Sequence, residues 1–210
     1  MKKEKKNVYE IINNIIRVIL IISLFPFFIK GEYNKVGYIV ITVLLTFYDV
    51  LVKKLLKIEL SYPLKYAILF LIITTEFLGS TLDFYGKFHW WDTFVHGTSG
   101  IMNFFIGLEL INKLNQNFKR EEIHIVIQIL FAICFSISIL GLWEIAEFIL
   151  DETLNLNMQI TRGLEGQDAI WDTIEDMIAA SIGTIIALII EIFCIRYKNK
   201  NEYKMFVTNK

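Results

Sequence analysis

Long apolar runs alternate with short charged segments along this chain, and six of the runs approach the length of a bilayer crossing. They cover residues 10–29, 36–52, 65–83, 93–113, 123–150 and 170–195. A crossing helix needs roughly 20 mostly apolar residues. The second run is short by that measure, and the fifth is long enough to tilt or to project past the membrane. No repeat, low-complexity tract or flexible linker divides the chain. The pattern predicts an all-α, polytopic membrane protein, with six transmembrane helices in a single domain over 1–210.

Composition agrees with the pattern. Of 210 residues, 55% are hydrophobic, the mean hydropathy is +0.51 and only two are proline, a balance unusual for a soluble domain. The net charge of −1 leaves no basic field for nucleic acid. The basic start, Met1 to Lys6, resembles the head of a signal peptide, but no small-x-small cleavage site follows, so an uncleaved first span is expected. Cys134 and Cys194 lie inside apolar runs and read as core residues.

Charge then orients the spans. The two ends and the second and fourth loops hold sixteen Lys and Arg, against four (Lys30, Lys35, Lys87, Arg162) in the alternating loops. This asymmetry predicts that both termini are cytoplasmic. Glu10, Asn13, Asn14 and Arg17 in the first helix read as a polar inner end that snorkels to the surface. Asp49 reads as the i,i+4 ion-pair partner of Lys53.

The opposite ends of the helices are acidic. From Glu76 onward the outer side carries twelve acids: Glu76, Asp83, Asp92, Glu144, Glu147, Asp151, Glu152, Glu165, Asp168, Asp172, Glu175 and Asp176. Only Lys87 and Arg162 oppose them. Asp168, Asp172 and Asp176 stack at i, i+4 and i+8, Asp92 and His96 share a face at i,i+4, and Glu144 and Glu147 at i,i+3. Carboxylates crowded in a medium of low dielectric need a shared proton or a cation. Acids and a His converging from antiparallel helices are also how metal sites are built inside bundles.

The candidate ligands are therefore Asp92, His96, Glu144, Glu147, Asp172 and Asp176, with Glu76, Gln167, Asp168 and Trp171 as further pocket residues. Hard oxygen donors suit magnesium, manganese or calcium, and the imidazole keeps zinc open. Trp90, Trp91, Trp143 and Trp171 read as aromatic anchors at the outer boundary. Gly97 and Gly100 allow close approach of a helix or ligand, and Ala179, Ala180, Ser181 and Gly183 read as helix packing.

Three blocks carry a resemblance. They are Trp91-Asp92-Thr93-Phe94-Val95-His96-Gly97, Trp143-Glu144-Ile145-Ala146-Glu147, and Gln167 followed by Trp171-Asp172 and Asp176-Met177. Together they resemble the YjdF-type bacterial inner-membrane family of unassigned function, over roughly residues 83–190. The order of Asp-x-x-x-His, acid and Asp-rich final helix is more distantly similar to VanZ-like proteins of the lipocone group, proposed to process lipid head groups. The resemblance implies a bacterial cytoplasmic membrane and an outer-leaflet site.

The leading expectation is a metal-dependent enzyme acting on a lipid-linked head group, with His96, Asp92 and Asp172 in the chemistry and membrane lipids as partners. The rivals are a cation or proton-coupled transporter, and a non-catalytic metal-binding or assembly partner. Neither substrate nor oligomeric state follows from the sequence.

Overall fold

In lipid every backbone N–H and C=O must be paired within its own segment or in a closed barrel, so apolar runs of this kind fold as helices. The computed structural model describes residues 2–117, 123–154, 158–159 and 167–208, with side chains over 8–116, 123–153, 158–159 and 170–197. The described residues contain helices and no strand. In order they are α1 (Lys2–Ile29), α2 (Tyr33–Leu45), α3 (Tyr48–Leu56), α4 (Tyr62–Ile72), α5 (Phe84–Lys87), α6 (Trp91–Asn117), α7 (Ile125–Leu154) and α8 (Gln167–Thr208). α4 continues directly into a π-helical stretch, Ile73–Thr81.

Among the described residues, five segments are long and apolar enough to cross a membrane: Val8–Ile29, Tyr62–Thr81, Trp91–Gln116, Ile125–Thr153 and Ile170–Tyr197. α2 is apolar but shorter. With 42 residues, α8 is about 63 Å long, twice the ~30 Å hydrocarbon core, so it extends past the apolar layer. Burial is inverted relative to a soluble protein. Ile11, Ile15, Ile19 and Ile22 on α1 are exposed, as are Ile178, Ile182, Ile185 and Ile189 on α8. Asn13, Thr42, Thr46, His96, Ser136, Glu144, Glu147, Asp176 and Thr184 are buried. An apolar surface of this extent is a lipid-facing surface. Cys134 and Cys194 are exposed on it, which corrects their reading as core residues.

Two compact units are present: Met1–Val95 with Asn112–Arg120, and His96–Ile111 with Glu121–Lys210. In the first, the apolar run 36–52 is not one helix, because the chain turns at Thr46 and Phe47 between α2 and α3. The Thr46 carbonyl accepts from Asn13 Nδ2 at 3.2 Å and from Arg17 Nη2 at 2.8 Å, while Arg17 Nε donates to Thr46 Oγ1 at 2.8 Å. The Val50 N–H turns instead to the Phe47 carbonyl and to Asp49 Oδ1. The Arg17 guanidinium also stacks 3.7 Å from the centre of the Phe47 ring. Asn13 and Arg17 therefore cap an interrupted helix. Asp49 pairs with Lys65 at 3.7 Å rather than with Lys53, because the turn carries α3 toward the start of α4.

In the second unit small residues set the spacing. A Cβ on Gly100 would run into the Ala180 carbonyl, and one on Gly183 into the Gly97 carbonyl, so α6 and α8 touch backbone to backbone. A Cβ on Gly107 would lie 3.0 Å from Ala132 Cα on α7. Ser136 Oγ lies 2.8 Å from Thr184 Oγ1 and donates to the Gly100 carbonyl at 3.1 Å, tying the three helices at one buried point. Below it, Phe104, Leu108, Ala132 and Ala187 form the apolar core. The sequence reading of Gly97, Gly100, Ala179, Ala180 and Gly183 as packing residues matches this contact.

Gly100→Val and Gly183→Val are expected to destabilise the protein by about 1–3 kcal/mol or more, since backbone cannot move aside as a side chain can. Gly141→Ala on α7, where a Cβ meets nothing within 4 Å, is expected to be neutral or stabilising by up to about 1 kcal/mol. Thermal unfolding in detergent measures both.

Candidate functional site

One turn beyond the close contact of α6 with α8, the buried side chains become ionisable. His96 precedes Gly97 on α6 and is 5% exposed. Asp176 on α8 is 2% exposed and Glu144 on α7 is 6% exposed. Each position follows from helix periodicity. Asp176 leads Ala180 and Thr184 by four and eight residues, so it sits on the face that packs inward. Glu144 follows Leu140 and Ser136 at the same spacing on α7.

The His96 ring lies between the two acids. Its Nδ1 is 3.7 Å from Glu144 Oε1 and its Nε2 is 3.8 Å from Asp176 Oδ2. Both distances are too long for a direct hydrogen bond and short enough for strong electrostatic coupling. No well-formed hydrogen bond reaches either oxygen of Glu144 among the described residues, but the Thr173 side chain of α8 lies near enough to act on it as a hydrogen-bond donor, and the Asp172 charge lies beyond. Asp92 stands one turn before His96 on the same helix. Asp92, His96 and Asp176 each offer one ligand atom, and these atoms all lie within 4.8 Å of one another.

A sequence model for the family described as "Predicted membrane protein (DUF2238)" matches residues 12–197. The chain belongs to this family. No curated protein and no solved structure matches it. The match runs from α1 into α8 and agrees with the resemblance drawn from the three sequence blocks.

Other residues singled out in the sequence of this DUF2238 protein fall in different places. Glu147 is buried one turn beyond Glu144 and accepts a hydrogen bond from Trp143 Nε1 at 2.7 Å. Asp172 is half-buried and heads the inward face of α8. Glu76 belongs to the first unit, in the π-helical stretch, where its carbonyl accepts from Thr81 Oγ1 at 3.2 Å. Asp83 is exposed and adopts a left-handed conformation (φ 61°) that ends that stretch.

Trp171 is 68% exposed among the described residues, as an anchor at the membrane boundary would be. Trp91, in contrast, is buried among Phe84, Phe94 and Trp90. Gln167 and Asp168 begin α8, but their side chains lie outside the described residues, as do Arg162 and Glu165.

Sequence reasoning missed the Ser136–Thr184 pair, the Trp143–Glu147 bond and the role of Asp151. The signal for the first was available: an isolated hydroxyl in an apolar helix needs a partner, and two such helices supply one each.

Two carboxylates flank one imidazole in this buried site, and a cation site of this kind would hold more negative charge than the fold itself needs. Asp176→Asn, which keeps the shape and removes a charge, is expected to leave the metal-free protein at least as stable as wild type. Thermal unfolding at neutral pH checks this. A loss above about 3 kcal/mol would instead mark Asp176 as half of a structural ion pair.

Proposed function

We propose that Asp92, His96 and Asp176 bind a divalent cation near the outer face of a bacterial cytoplasmic membrane, and that the centre processes a lipid-linked head group at its phosphate ester. The observation that carries this reading is the convergence of three potential ligand atoms within 4.8 Å. Two ligands of one magnesium or zinc ion stand at most about 4.2 Å apart, and two of calcium at most about 5 Å. Separations within 4.8 Å are of the order that ligands of a calcium-sized ion take, and the side chains would draw together around a smaller one.

In this reading Nε2 of His96, on the Asp176 side, faces the cation, and Nδ1 faces Glu144. A carboxylate behind a ligating histidine fixes its ring and tautomer and raises its basicity. Glu144 would then act through His96 rather than as a ligand, with Asp172 and Glu147 completing the acidic wall. A bound cation would offset the acids, attract a phosphate and polarise its ester. Without one, so negative a pocket repels phosphate. His96, if not occupied as a ligand, would take the proton of the attacking water.

The topology belongs to the same proposal. Sixteen basic residues against four favour cytoplasmic termini. α2 spans about 20 Å and, with the turn at Thr46, serves as the sixth crossing. Lys53, Lys54 and Lys57 then leave α3 at the inner interface, and the acidic ends of α6, α7 and α8 lie outside.

A second reading, cation or proton transport, draws on Glu76. It sits on a nine-residue π-helical stretch inside an apolar span, and such stretches mark functional positions in membrane helices.

Elemental analysis of the purified protein, followed by incubation with total membrane lipids, separates these readings. One equivalent of divalent metal is expected, with lipid turnover that falls at least about 100-fold in His96→Ala and Asp172→Ala while membrane insertion is kept. Bound metal without turnover or flux would support a binding or assembly role. Flux that depends on Glu76 would support transport. Turnover equal to wild type in both variants would end the enzymatic reading.

A further inference from the structure

The chain that follows α7 is tied to the candidate centre through Thr173. Asp151, close to the end of α7, accepts from two consecutive backbone amides. The Met158 N–H donates to Oδ1 at 2.6 Å, and the Gln159 N–H donates to Oδ2 at 2.8 Å. Both carboxylate oxygens thereby accept from the backbone, which gives this outer-side acid a structural role. This clamp fixes where the Gln159 side chain begins. From there Gln159 Nε2 donates to Thr173 Oγ1 at 3.0 Å.

Thr173 lies three residues before Asp176, on the same side of α8, and beside Glu144 of α7. A hydroxyl has one proton and two lone pairs. With Gln159 donating into a lone pair, the Thr173 proton is left for an acceptor. The acceptor beside it is Glu144, neither of whose oxygens receives a well-formed hydrogen bond among the described residues.

We propose that Gln159 is a positioning residue for the centre. Pinned by Asp151, it holds the Thr173 hydroxyl toward Glu144, and Glu144 in turn sets the orientation of the His96 ring and the affinity of the site for a divalent cation. This rests on the metal-binding reading above. It adds that Met158 and Gln159, held by Asp151, tune the site from outside the ligand set.

The test is a Mn²⁺ titration of the full-length protein in detergent, read by the loss of the free-ion electron paramagnetic resonance signal. Thermal unfolding of the metal-free protein is measured in parallel. Gln159→Ala and Thr173→Val are expected to weaken Mn²⁺ binding about tenfold or more, the usual cost of losing an outer-shell partner. Thr173→Ser, which keeps the hydroxyl, is expected to bind as wild type does. A purely structural role would instead lower the unfolding temperature and leave the affinity of the folded protein unchanged. Wild-type affinity in both Gln159→Ala and Thr173→Val would overturn the positioning role and leave the metal reading standing. No Mn²⁺ binding by the wild type would overturn both.

Discussion

A carboxylate inside a bilayer has few ways of meeting its charge: a proton, a cation, a base or donors from the protein. Glu144 and Asp176 meet this constraint around one imidazole, with His96 Nδ1 3.7 Å from the first and Nε2 3.8 Å from the second. Three helices must supply those groups at one depth. The packing of the second unit serves that need, since the close approach of α6 and α8 depends on Gly100 and Gly183 having no side chains. The Ser136–Thr184 pair then fixes the register of α7 and α8 just below the site.

The two units solve a similar problem with different residues. In the first, an arginine and an asparagine inside an apolar helix are satisfied by an interrupted backbone, whose Thr46 carbonyl they share. In the second, backbone continuity is kept and the polar groups answer one another. An intramembrane Arg17 with three partners, one of them the Phe47 ring, explains itself structurally. The second unit instead gathers several acids around one imidazole inside apolar helices, and intramembrane ionisable groups gathered in this way are the default place to look for function.

The long helices were legible because lipid forces apolar runs to be helical and because they are long. The face shared by Asp92 and His96, and that shared by Asp172 and Asp176, followed from helix spacing alone. The turn at Thr46 and Phe47 was not legible. Neither residue is a glycine or a proline, and the groups that stabilise the break lie about thirty positions earlier in the chain. The pairing of Asp49 with Lys65 was hidden for the same reason: local spacing offered Lys53, and only the turn brings α4 near. Asp151 looked like one more acid of the cluster, because nothing local says that its oxygens are taken by amides seven and eight residues on. The π-helical stretch around Glu76 carries no sequence signature either.

The central claim is that His96 and the carboxylates around it share a cation. Electron spin-echo envelope modulation on the Mn²⁺-loaded protein tests it most directly, because it reports nitrogen bound to the metal. Modulation from a single imidazole nitrogen is expected, abolished in His96→Ala and retained when either of the other two histidines of the chain, His89 and His124, is replaced by alanine. Tightly bound Mn²⁺ with no nitrogen modulation, or modulation that survives the loss of His96, would contradict it.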